Sequence, residues 1–193
     1  MTFYLGLLIF TYCLIVSSPA RAATIDFESL PDSTILTNQY SGLTFSNAII
    51  LTAGISLNEF EFPPHSGTNV VADNNGPMNV AFSSPVSSFS GYFTYSEPLT
   101  LQAFNAASVQ IASATSLFSA NYVSSGNPPS EFLQVVSASG ISSVTIMGDP
   151  AGGSFVMDDI AYTSAATGVP EPGTFSLFLI FGLGTLALRR LKA

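Results

Sequence analysis

Between residues 24 and 163 the chain alternates apolar and polar positions with a period of two, and long helical periodicity is absent there. Thr24-Ile25-Asp26-Phe27-Glu28 puts Ile25 and Phe27 on one strand face and Asp26 and Glu28 on the other. Tyr40-Ser41-Gly42-Leu43-Thr44-Phe45 repeats the pattern, and residues 48–52 form a short apolar run. Further strands are predicted over 78–82, 86–95, 99–104, 108–114, 131–137, 141–146 and 154–163. Residues 59–77 are rich in Pro, Gly and Asn and read as a long loop or a hairpin margin. Gly126-Asn127-Pro128-Pro129-Ser130 and Gly148-Asp149-Pro150-Ala151-Gly152-Gly153 mark turns. Nine or ten short strands separated by such turns predict an all-β fold, a jelly-roll-like β-sandwich in preference to a small barrel.

The two ends break this pattern. Residues 3–16 are an apolar run followed by small residues and Ala20-Arg21-Ala22, the shape of a secretory signal peptide cut after Ala22. No Lys or Arg precedes the run. Cys13, the only cysteine, lies within it and is expected to leave with it. At the other end Val169-Pro170-Glu171-Pro172-Gly173 precedes an uncharged segment, residues 174–188, closed by Arg189, Arg190 and Lys192. Residues 175–188 would span about 21 Å as a helix against a hydrocarbon core of roughly 30 Å, so the segment is a short membrane helix whose arginines snorkel. Charge asymmetry assigns the basic cluster to the cytoplasmic side as a membrane stop. The domains are therefore residues 1–22, an outer domain at 23–168, and a C-terminal signal at 169–193.

That signal, Val169-Pro170-Glu171-Pro172-Gly173 with the apolar helix and terminal Arg189-Arg190, resembles the PEP-CTERM sorting signal of Gram-negative bacteria. The resemblance covers residues 169–193 alone. It implies export through the translocon and signal peptidase, transient anchoring in the inner membrane, and processing by an exosortase, a transpeptidase-like cysteine protease. It also implies a final place on the cell surface or in the extracellular matrix of a bacterium that makes exopolysaccharide and biofilm. The body of the chain is similar to outer domains that precede such signals. The likeness is carried by Ile25-Asp26-Phe27-Glu28, by Tyr40 to Phe45, and by the stretch Gly152-Gly153-Ser154-Phe155-Val156-Met157-Asp158-Asp159-Ile160. Those domains resemble carbohydrate-binding jelly rolls whose first and last strands lie close together.

Charge narrows the chemistry. No Lys or Arg occurs between Arg21 and Arg189, while residues 23–168 carry every Asp and Glu of the chain's 12 except Glu171. Such a surface repels nucleic acid. Its carboxylates have no Lys or Arg to pair with, so those that are partly buried need hydrogen bonds or a metal ion. Asp26 and Glu28 on the first strand and Asp158 and Asp159 on the last are the candidate ligands for a structural Ca²⁺. Regular alternation would send Asp158 and Asp159 to opposite faces.

His65, the only histidine, lies in a turn-like Pro-Pro stretch, which argues against a polyhistidine zinc site. No nucleophile elbow, zinc-protease helix or phosphate-binding loop is present, so no catalytic residue is assigned. Strand-spaced phenylalanines read as core. There is no tryptophan, and Tyr40, Tyr92, Tyr95 and Tyr122 are the substitutes for a sugar-stacking platform, none singled out by the pattern. The expected function is that of an exported, non-enzymatic surface or matrix protein associated with exopolysaccharide. A calcium-stabilised glycan-binding module is the alternative, and a polysaccharide hydrolase a third reading.

Overall fold

The computed structural model describes residues 21–165. The apolar run at 3–16, the motif at 169–173, the segment at 174–188 and the basic tail lie outside the described residues. Among the described residues no helix is long and apolar enough to cross a membrane.

The described residues form nine strands: β1 Ala22–Ile25, β2 Leu43–Ser46, β3 Ala48–Thr52, β4 Asn69–Asp73, β5 Met78–Tyr95, β6 Thr100–Phe104, β7 Gln110–Thr115, β8 Glu131–Met147 and β9 Phe155–Ser164. A 3-10 turn occupies Val123–Ser125. All pairings between strands are antiparallel, in the order β3-β4-β9-β5-β8-β6-β7, with β1 added to β9 and β2 to β5.

The two long strands make this ladder a sandwich. The first part of β5 pairs Met78 to Ala81 with Ile146 to Ser143 of β8, and β2 lies on its other side. The second part pairs Ser88 to Phe93 with Val136 to Glu131 of β8, and β9 lies on its other side. Between them the register breaks, at Ala81/Val86 and again at Val86/Ser88. Each long strand thus contributes to two half-sheets. Met78, Val80, Leu101, Val144 and Ile146 of one half and Phe89, Phe93, Leu133, Val135 and Met157 of the other are buried in one cluster.

The pattern predicted β5 and β8 as two strands each. The polar stretch Ser83-Ser84-Pro85, which separates the predicted strands 78–82 and 86–95, only bends β5. Pro85, which has no amide to donate, sits where the ladder is already interrupted.

The predicted loop at 59–77 also contains a strand. All five residues of β4 are buried. Val71 joins the main core, while Val70 and Ala72 join Leu57 and Val156 in a second, smaller cluster on the opposite face of the sheet, covered by Phe62. A strand buried on both faces lacks the alternation that would announce it.

The last strand carries a bulge. Ser90 faces Ala161 and Tyr92 faces Asp158, so Asp159 and Ile160 both stand opposite Gly91. Asp159 takes the left-handed conformation that such a bulge requires, at φ 45°. A side chain at position 91 would press on Ile160, with a Cβ 3.3 Å from its Cγ2. The extra residue reverses the phase of the strand. Phe155 and Met157 point into the core before it, and Ile160 and Tyr162 pack on the core after it.

Deleting Asp159 would remove the extra residue and leave Ile160 opposite Gly91 on a regular strand, still on the core side with Tyr162. Removing the Ile160 side chain itself, in Ile160→Ala, costs about 2–5 kcal/mol. Urea denaturation should therefore show the Asp159 deletion less destabilised than Ile160→Ala. A deletion destabilised more than Ile160→Ala would contradict the placing of the bulge at Asp159.

Candidate functional site

The second half-sheet has an outer face as well as a core face. In β8, Leu133 and Val135 point inward, which leaves Phe132, Gln134 and Val136 outward and exposed. Phe132 is 51% exposed. Its cross-strand neighbour on β5 is Tyr92, half-buried, with ring centroids 5.4 Å apart at 58°. Beyond Tyr92 the imidazole of His65 stacks at 3.5 Å and 8°. Three rings therefore form a row: Phe132 open to solvent, Tyr92 in the middle, and His65 lying flat on Tyr92. The bulge places Asp158 and Asp159 beside this row on β9.

His65 belongs to the segment 63–69 that leads into β4, and carboxylates hold that segment down. Asp158 Oδ2 accepts the backbone amides of His65 at 2.8 Å and Ser66 at 2.9 Å, while Oδ1 accepts the amide of Asp159. Asp159 accepts His65 Nδ1–H at 2.6 Å through Oδ2 and the Ser66 hydroxyl at 2.9 Å through Oδ1. Glu28 accepts the amides of Thr68 at 2.9 Å and Asn69 at 2.7 Å on Oε1, and the Thr68 hydroxyl on Oε2. Asn69, buried at the start of β4, donates to the carbonyls of Phe27 and Leu30. Gly67 between the anchors lies at φ +54°, and a Cβ there would sit 2.4 Å from the Glu28 carboxyl carbon. Only glycine suits both the left-handed backbone and the close approach.

The bond from His65 Nδ1–H to Asp159 fixes the neutral ring's tautomer, leaving Nε2 as a hydrogen-bond acceptor. The His65 and Asp159 side chains are 35% and 26% exposed. With Gln134 and the Asp159 carboxylate, the row offers acceptors and an amide donor next to an open aromatic ring.

The electrostatics follow from the lack of cations. Burial pushes the Asp158 carboxyl up to about 6, reinforced by the charge of Asp159 and opposed by the amides of Ser66, Asp159 and His65. Glu28 moves the other way. Its partial desolvation is outweighed by the Asn69 and Thr68 amides and the Thr68 hydroxyl, so its carboxyl lies below the usual range.

Of the four carboxylates named from sequence, the structure brings Glu28, Asp158 and Asp159 to one segment. Asp158 and Asp159 both reach it because β9 is bulged, not regular as expected. Asp26 stays apart and exposed, accepting only the Glu28 amide at 3.3 Å. Among the described residues no group of three or more His, Cys, Asp and Glu side chains is arranged to hold a metal ion. The role this geometry gives the three carboxylates is to fasten residues 65–69. His65, Tyr92 and Phe132 form a group that alternation alone does not identify.

No protein-family model and no curated protein matches the chain. Among solved structures, the K2 cleaved adhesin domain of Lys-gingipain is 15% identical, over 74% of this chain and 99% of that one, with a TM-score of 0.48. A CBM29-2 mutant complexed with cellulohexaose is 13% identical over 74% and 92%, at 0.42. The CBM35 from Paenibacillus barcinonensis is 18% identical over 74% and 98%, at 0.35. What those proteins bind is a property of their own residues.

Asp158 generates a pH prediction. Its carboxyl is raised in the folded state from an ordinary 3.8 to about 6, so the folded form holds the proton more tightly than the unfolded form. The contribution favours folding below pH 3.8 and is lost as pH rises through about 6, worth at most about 3 kcal/mol. Asp73, also raised by burial, acts in the same direction, whereas Glu28 contributes above its unfolded value of 4.5 and loses that as pH falls. Melting temperature should therefore decline between pH 5 and about 7. Asp158→Asn should flatten the decline. Superimposable pH profiles for the two proteins would contradict the assignment.

Proposed function

We propose that residues 23–168 are the outward-facing domain of an exported, non-enzymatic surface or matrix protein, and that the His65–Tyr92–Phe132 face contacts a polysaccharide. The observation that carries the contact is the open ring of Phe132 beside the stacked Tyr92–His65 pair, flanked by Gln134 and Asp159. Sugar rings present C–H faces to aromatic faces and hydroxyls to polar neighbours, and this row supplies both. His65 is the contacting ring at one end of the row. Tyr92, covered by it, is its support.

The jelly-roll reading of the sandwich belongs to the same proposal. It is supported by the pairing of the first strand with the last, Ala22 opposite Thr163 through Ile25 opposite Ile160. Export and sorting rest on sequence: the Ala20-Arg21-Ala22 site for signal peptidase, and the Val169 to Gly173 motif with Arg189, Arg190 and Lys192 for an exosortase.

The test uses protein recovered from the bacterial envelope, its termini read by mass spectrometry in the same preparation. A start at Ala23 and loss of Ala193 are expected. Affinity electrophoresis through gels containing the producing organism's own exopolysaccharide should retard the wild type. Phe132→Ala and Tyr92→Ala should weaken binding by about tenfold each, corresponding to roughly 1–3 kcal/mol for a lost stacking contact, a scale known from base–aromatic stacks. Far-ultraviolet circular dichroism should leave both variants folded. Unchanged retardation of both variants would remove the face from the proposal.

A further inference from the structure

We propose that the ring row takes an uncharged polysaccharide and rejects chains bearing uronates; this rests on the glycan reading above and adds the ligand's charge class. The ionisable side chains placed at the row are Asp159 and His65, which are paired with each other, and behind them Asp158 and Glu28, which hold the same segment. From Ala23, where the mature chain is expected to start, no lysine or arginine occurs before Arg189, so no guanidinium or ammonium side chain of the outer domain can receive a sugar carboxylate.

Recognition of anionic sugars relies on such groups, most often a bidentate arginine. What the row offers instead are acceptors, Asp159 and Nε2 of the neutral His65 ring, together with the Gln134 amide. Those groups suit hydroxyl donors. A uronate brought against them would meet two acceptors and one neutral amide donor, and would lose its hydration without a compensating cation.

The remainder of the domain acts in the same sense. Its carboxylates are uncompensated, so the field that an approaching polyanion meets is repulsive before contact, and salt should screen it. An uncharged chain feels neither effect. Selectivity by charge is therefore expected to appear as a salt-dependent difference between polymers, not as a fixed one.

The experiment measures equilibrium binding of the full chain, in non-ionic detergent, to immobilised hydroxyethylcellulose, galactomannan, pullulan and alginate. Two ionic strengths are used: about 10 mM, where the Debye length is roughly 30 Å, and about 1 M, where it is roughly 3 Å. The inference predicts binding to at least one neutral polymer at both ionic strengths, lost in Phe132→Ala. It predicts alginate binding at least about tenfold weaker than that at low salt, with the gap narrowing at high salt. Asp159→Asn should narrow the low-salt gap, and the salt comparison on wild type stands if that variant does not fold. Alginate bound as tightly as the neutral polymer at low salt would overturn the charge class and leave the glycan reading standing. A gap that salt does not change would overturn it also. Binding to none of the four would take away the glycan reading and this inference together.

Discussion

Carboxylates fastened by backbone amides organise this domain. A chain with no Lys or Arg between Arg21 and Arg189 has no side-chain cation for its acidic groups, and buried or half-buried carboxylates cannot be left bare. The structure supplies main-chain N–H groups in their place. Asp73, buried at the end of β4, accepts the amides of Ser154 and Phe155 and the Ser154 hydroxyl. Glu28 takes those of Thr68 and Asn69, and Asp158 those of His65, Ser66 and Asp159. Glu61 binds the Ser124 amide, Asp32 that of Thr52, and Glu131 that of Leu117. Among the described residues no buried side-chain polar atom lacks a partner. The amides of His65, Ser66, Thr68, Leu117 and Ser154 lie outside the strands, so there one bond answers two needs.

The clamps also decide where the functional groups lie. Asp158 and Asp159 stand on the same face only because β9 carries one residue more than its partner, and Gly91 leaves room for it. The bulge keeps Ile160 in the core while turning both acids toward residues 65–66. Those bonds in turn lay His65 flat on Tyr92. The ring row is thus a consequence of the bulge acting through two carboxylates. Core packing fixes the strands, and amide–carboxylate bonds fix what crosses them.

Much of this was legible in sequence, and the exceptions have physical reasons. Alternation located most strands because one face of each is buried and the other wet, and the lack of cations foretold that buried acids would need hydrogen bonds or a metal ion. It missed β4, since Val70 and Val71 are both buried, on opposite faces. It divided β5 and β8 where Ser83 to Pro85 and the residues around Gly140 bend the chain without ending it. It read β9 as regular, because a bulge is set by pairing with Gly91 and leaves no periodic trace. Asp26, Glu28, Asp158 and Asp159 were grouped, as candidate Ca²⁺ ligands, from their places near the two ends of the domain, and the last three meet at residues 65–69. His65 was not, since its contacts with Tyr92 and Asp159 join residues far apart in sequence. Phe132 was hidden by its run: in Phe132-Leu133-Gln134-Val135-Val136 apolar residues fall on both faces, and nothing local says which face is wet.

The clamp account is tested most directly by backbone hydrogen exchange at His65, Ser66, Thr68 and Asn69. These amides lie at or beside an exposed loop, so a segment held only by packing would exchange quickly there. The account predicts protection at all four, comparable with neighbouring strand amides. In Asp158→Ala, protection should fall at His65 and Ser66 while Thr68 and Asn69, held by Glu28, keep theirs. Exchange of His65 and Ser66 in the wild type as fast as at the exposed Gly54 turn would contradict it.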